Sequence, residues 1–203
     1  SNYLSLPDNM VSISTPELLT EISNEDNLQL SSVGNISLLL RRDGSVWTWG
    51  DAKRIFIEGG TSTPAPEQVT GLPSNIIAVS AGHGHGLALT SGGKVWSFGT
   101  SFGGTAPIEV YGISDIIAIQ AGSTTAYAIK SDGSLWAWGE TSSGRLGVAD
   151  EGFVEIPFQL IPSGVKEVST YVSSSMALMQ DGTVMSWGNV HNSNLGSDPD
   201  LSR

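Results

Sequence analysis

An all-β fold built from repeated units of about four antiparallel strands is what this sequence predicts, on three observations. One octapeptide is written four times: DGSVWTWG from Asp43, GGKVWSFG from Gly92, DGSLWAWG from Asp132 and DGTVMSWG from Asp181. The copies start roughly 49, 40 and 49 residues apart, a period that belongs to solenoids, propellers and arrays. Charged residues make up only 14% of the chain while Gly, Ser and Thr are frequent, which suits short strands joined by many turns.

The octapeptide encodes a turn and a strand. Asp-Gly or Gly-Gly forms a tight hairpin turn, because Gly tolerates positive φ and Asp bonds the backbone beyond it. In the strand that follows, Trp47 and Trp49, Trp96 and Phe98, or Trp136 and Trp138 stand two apart and share one face. Those rings require a packed surface, so all six tryptophans, Trp187 included, are expected to be largely buried. Gly50, Gly99, Gly139 and Gly188 then end the strand where the chain turns.

Three further strands lie upstream of each copy. Apolar runs at Ile77 to Val79, Ile116 to Ile119 and Val165 to Val168, with Leu28 to Leu30 as a weaker counterpart, precede the segments AGHGHGLAL, AGSTTAYAI, STYVSSSMAL and SSVGNISLLL. Before those stands a proline element: PELL at Pro16, PEQV at Pro66, PIEV at Pro107 and PFQL at Pro157. Proline removes a ladder donor, which confines this strand to the periphery of its sheet.

Together these segments resemble the regulator of chromosome condensation repeat, whose pattern is V-x-x-A-G-x-x-H-S/T-x-A-L, then D-G-x-V-W-x-W-G, then a loop ending near G-x-L-G. VSAGHGHGLAL followed by GGKVWSFG is the best match, with His85 in the histidine position, and ETSSGRLG matches the loop through Gly144, Leu146 and Gly147. The histidine position holds Thr125, Ser174 and Ile36 in the other copies. The resemblance implies a β-propeller with four blades in this chain, at about 16–50, 66–99, 107–139 and 157–188. Residues 1–15 form a leader and 189–203 a terminal loop. Family members usually close a ring of seven blades, so the four blades are expected as an arc of a larger propeller or as a small ring, closed alone or by self-association with a second copy. In the leader, LPDNMVSIS from Leu6 echoes LPSNIIAVS from Leu72 and reads as a leftover strand. A short helix over Pro16 to Ser23, capped by Thr15, competes with the strand at PELL.

Charge and chemistry limit the function. With 9 basic against 20 acidic residues the net charge is −11, which argues against nucleic-acid binding and leaves a basic protein partner open. No apolar run approaches the roughly 20 residues that span a bilayer. With no cysteine, disulfides and thiolate sites are excluded, and cytoplasmic and secreted locations both stay open. His83 and His85 form an H-x-H pair without a third ligand of convincing spacing, so no metal or cofactor is expected. Asp43, Asp132 and Asp181 are explained by their turn positions. The A-G-x-x-x segments offer hydroxyls and histidines but no acid-base partner, so the chain reads as a non-enzymatic protein-interaction module, an inhibitor or adaptor. A guanine-nucleotide exchange factor or chromatin-associated regulator is the alternative that the resemblance implies.

Partner contact is expected in the loops after each W-x-W-G, which vary in length and emerge on one side. Their candidate anchors are Arg54, Phe56, Phe102, Arg145 and Phe153, since exposed aromatics and arginines dominate protein interfaces. For Phe56 and Phe153, tucking beneath their own loops is the competing reading.

Overall fold

The computed structural model describes residues 26–51, 56–57, 59–60, 63–102, 104–148 and 152–189. The leader strand, the helix at Pro16 to Ser23, the anchor Arg54 and most of the terminal loop lie outside the described residues. Among the described residues, fifteen strands form four antiparallel sheets. The first contains β1 (Asn27–Val33), β2 (Ile36–Arg41), β3 (Val46–Gly50) and β4 (Thr63–Gln68); the second β5 (Ile76–Ala81), β6 (Gly86–Thr90), β7 (Val95–Gly99) and β8 (Gly104–Glu109). The third contains β9 (Ile116–Ala121), β10 (Thr125–Lys130), β11 (Leu135–Glu140) and β12 (Phe153–Ile161); the fourth β13 (Val165–Tyr171), β14 (Ser174–Met179) and β15 (Val184–Gly188). Strands within each sheet follow chain order, as in the blades of a propeller.

The blades divide the chain one strand later than the sequence repeat does. Each of the three described proline elements pairs with the tryptophan strand before it, as in Trp47↔Gln68, Trp96↔Glu109 and Trp136↔Gln159, and forms the outer edge of that blade. The blade limits 16–50, 66–99, 107–139 and 157–188 are therefore corrected to sheets at 27–68, 76–109, 116–161 and 165–188. The proline itself behaves as expected, because an edge strand has one row of backbone groups with no ladder to complete.

The repeated turn works through a hydrogen-bonded relay. The Ser45 amide and hydroxyl donate to Asp43 Oδ1 at 2.9 and 2.6 Å, and the Trp47 indole donates to Ser45 Oγ at 2.9 Å. Ser134, Asp132 and Trp136 repeat this at 2.9, 2.6 and 3.0 Å. These bonds hold the Asp43 and Asp132 carboxyls below their usual range. In the second blade Gly92 offers no carboxylate, and Thr90 substitutes: its Oγ1 accepts from the Lys94 amide at 3.0 Å and donates to the Lys94 carbonyl at 3.1 Å.

Three apolar cores lie between the blades. Leu38, Leu40, Phe56, Val79 and Phe98 fill the first seam; Leu87, Leu89, Val95, Ala126 and Trp138 the second; Tyr127, Leu135, Leu146, Val168 and Ala177 the third. The inner strands are laced across the seams as well. The Val79 amide donates to Gln29 Oε1, the Ala81 amide to Ser31 Oγ and the Ala121 amide to Ser80 Oγ, all at 2.9 Å. These are edge amides that their own sheet cannot satisfy. Only Trp138 among the tryptophans is fully buried. Trp47, Trp49, Trp96, Trp136 and Trp187 are half-buried: Trp47 and Trp136 place their indoles on the turn relay, while Trp96 and Trp187 pack against the first and third seams.

Candidate functional site

A cleft of about 510 Å³ opens where the outer strands of the second and third blades diverge. Its floor is Trp138, and its walls come from β8 with the residues after it and from β12. A 3-10 turn at Thr100–Phe102 closes one end. The sequence builds this by placing apolar residues at both parities of two edge strands. In β8 and beyond, Val110 is buried while Ile108 and Tyr111 are exposed, Tyr111 by 81%. In β12, Pro157 is buried and Ile156 is 73% exposed. Glu109 and Glu155 bring carboxylates into the same lining.

An aromatic series links the cleft to the seam beneath it. The Phe102 ring lies 5.3 Å from Phe153 and 4.3 Å from His85, tilted by 59° and 57°. His85 is completely buried. Burial pushes its pKa down to about 3, and the Thr125 backbone opposes that shift with smaller effect. Neither ring nitrogen completes a hydrogen bond within the protein. The imidazole is therefore neutral near pH 7 and packs as an aromatic plate, which does not suit a general acid or base at that pH. His83, two residues away, is exposed, so the H-x-H pair does not present two rings to one point. Among the described residues no group of three His, Cys, Asp or Glu side chains could hold a metal ion.

The expected anchors part company here. Phe102 and Phe153 meet in the cleft. Phe56 does not belong with them: it is 2% exposed and packs edge-on against Phe98 at 5.0 Å in the first seam, which corrects its assignment to a partner surface. Arg145 is held by its own blade, with Nη1 donating to Thr124 Oγ1 at 3.1 Å and to Glu140 Oε2 at 3.3 Å. Hydrogen bonds from Thr124 and then Ser142 keep the Glu140 carboxyl below its ordinary range, with Arg145 adding to them, so this cluster is a charged clamp on the loop. Ile108, Tyr111 and Ile156 were missed by sequence reasoning. Their signal was the loss of strict alternation in PIEVYG and EIPF, where a one-sided strand would put polar residues.

Two segments, residues 76–104 and 116–145, match the family described as regulator of chromosome condensation (RCC1) repeat. The E3 ubiquitin-protein ligase HERC2 of Mus musculus is 31% identical over 90 residues, which cover 43% of this chain and 2% of that protein; the Homo sapiens HERC2 matches equally. In the structure of Kap60 bound to yeast RCC1 (Prp20), a chain superposes with a TM-score of 0.74 at 23% identity, over 86% of this chain and 44% of that one. Saccharomyces cerevisiae Prp20p, reported with its binding properties to Gsp1p and histones, gives 0.73 at 21% identity over 86% and 46%. Human WBSCR16 gives 0.68 at 24% over 80% and 47%. The chain thus spans under half the length of these structures and a small part of HERC2, and the likeness to the solved structures is one of fold.

Proposed function

We propose that this chain, a propeller fold with two segments that match the regulator of chromosome condensation repeat, is a non-enzymatic protein-interaction module, an inhibitor or adaptor whose working surface is the cleft between the second and third blades. One observation carries this reading: exposed Ile108, Tyr111, Phe153 and Ile156 converge on a single concavity. Large side chains held at that exposure act as interface anchors when they cluster around a pocket. The test is affinity capture with the whole chain against a Tyr111→Ala/Ile156→Ala variant of unchanged unfolding midpoint. Proteins retained by the first and lost by the second support the reading, and an identical retained set overturns it.

A second reading is a regulator of the exchange-factor or chromatin-associated kind. It draws on yeast Prp20p, which binds Gsp1p and histones, and the net charge of −11 supports a basic protein as the partner. Titration with purified histones at graded salt separates the readings, since binding at the cleft must be lost in the same double variant.

The end blades support self-association that completes a ring. The fourth blade turns Met176 and Val184 outward from the positions that bury the seams elsewhere, and the first blade presents β1, the type of strand those positions pack on. A second copy supplies both faces, and the contact is heterologous and closes only if the rotation allows. Sedimentation equilibrium checks it: a mass that stays at one chain up to high micromolar concentration removes this proposal.

A further inference from the structure

The chemistry of the cleft specifies the kind of segment it accepts. Its lining is mostly apolar and aromatic, yet Glu109 on β8 and Glu155 on β12 stand in it from opposite walls. Glu109 already pairs with Lys94, whose Nζ lies 2.8 Å from Oε1. Glu155 is exposed and has no cationic partner among the described residues. Apolar walls with one unneutralised carboxylate suit a side chain that is aliphatic along its stem and cationic at its end. Phe102, Tyr111 and Phe153 add ring faces, which attract guanidinium more than any neutral group. The surplus of acidic over basic residues in the whole chain steers such a segment inward.

Resting on the reading of this cleft as a partner surface, we infer that it docks a peptide segment in which an arginine is flanked by apolar side chains, with the guanidinium at Glu155 and the stem and flanking groups on Phe102, Tyr111 and Ile156. A lysine fits less well, because it cannot stack flat on the rings or pair with the carboxylate through two parallel donors. A nucleic acid is opposed by the same carboxylates that favour the cation.

The test uses the whole isotope-labelled chain and three blocked pentapeptides, Gly-Leu-Arg-Leu-Gly and its Gln and Glu counterparts, followed by backbone amide shifts. The arginine peptide is expected to move the amides of Phe102, Tyr111 and Glu155 saturably, and the Gln peptide to bind about fivefold more weakly, the range of a solvent-accessible ion pair. Glu155→Lys should invert the order so that the Glu peptide binds best. If all three peptides move the cleft amides with equal affinity, the arginine assignment is overturned while the cleft remains a partner surface. If none moves them, or if Glu155→Lys leaves the order unchanged although the Tyr111→Ala/Ile156→Ala variant abolishes binding, the docking geometry at Glu155 is wrong. In the first of those cases the cleft itself fails as a surface.

Discussion

The third and fourth blades carry the same repeat and meet opposite surroundings. Position for position, Leu38, Leu87 and Tyr127 are fully buried in the first three blades, and Met176 in the fourth is 47% exposed. Val46, Val95 and Leu135 are buried likewise, against 62% exposure for Val184. The turn glycines differ in the same way. A Cβ on Gly44 would strike the carbonyl oxygen of Ser74, and one on Gly133 would come within 3.0 Å of the Gly164 nitrogen, while nothing lies within 4 Å at Gly182. What changes is the presence of a following blade. The repeat is written for contact with a neighbour, and the last described copy keeps the residue types without that contact.

Paired substitutions break or sharpen this contrast. The largest expected difference is between Leu87→Ala, which should cost about 2 to 5 kcal/mol, and Met176→Ala, which should cost about 0.5 kcal/mol or less. Denaturant midpoints measure it, and equal costs would mean that the fourth blade is covered in solution. Next come the glycines. Gly44→Ala and Gly182→Ala both place a side chain at positive φ, +82° and +87°, but the first must also displace backbone of the next blade, adding about 1 to 3 kcal/mol.

Acid should find the second seam before the open face. The pKa of His85 is about 3 when folded and rises to its ordinary 6.5 when unfolded, so between those values the unfolded chain binds the extra proton. Stability from this group is present above pH 6.5 and is lost as pH falls toward 3, at up to about 1.4 kcal/mol per unit. His85→Phe should flatten that slope in a pH series of unfolding midpoints, and a slope unchanged by it would contradict the neutral plate in the seam. The smallest effect belongs to Met176→Lys combined with Val184→Lys. Fold stability should move by about 0.5 kcal/mol or less, whereas any concentration-dependent self-association should disappear in sedimentation.

Much of the scaffold was legible in the sequence, because each octapeptide states its turn and strand in local terms. Asp43, Ser45 and Trp47 lie within five residues of one another, and the whole relay is visible in a single copy. The blade limits were not legible. PEQV and PIEV carry no mark of whether they pair backward or forward, since the choice depends on which strand edge the intervening loop brings near. Phe56 and Phe153 show the same limit for the site: two phenylalanines that follow equivalent tryptophan strands, one folded back onto Phe98 and the other left at the mouth of a cleft. The surface made by Ile108, Tyr111 and Ile156 requires two blades to diverge at a particular angle, and no stretch of one strand encodes that.

The lacing of the inner strands gives the molecule the mechanics of a hand fan. Ser31 to Ala81 and Ser80 to Ala121 pin the blades at the hub, and packing between blades runs through the two innermost strands of each. Among the described residues, the ribs β8 and β12 pair only within their own sheets. Widening of the cleft at the rim is therefore expected to part Phe102 from Phe153 and to leave the hub bonds in place. Amide exchange reads this directly: protons on β5 and β9 should outlast those on β8 and β12, and a uniform rate across a blade would mean the fan is stiff to its edge.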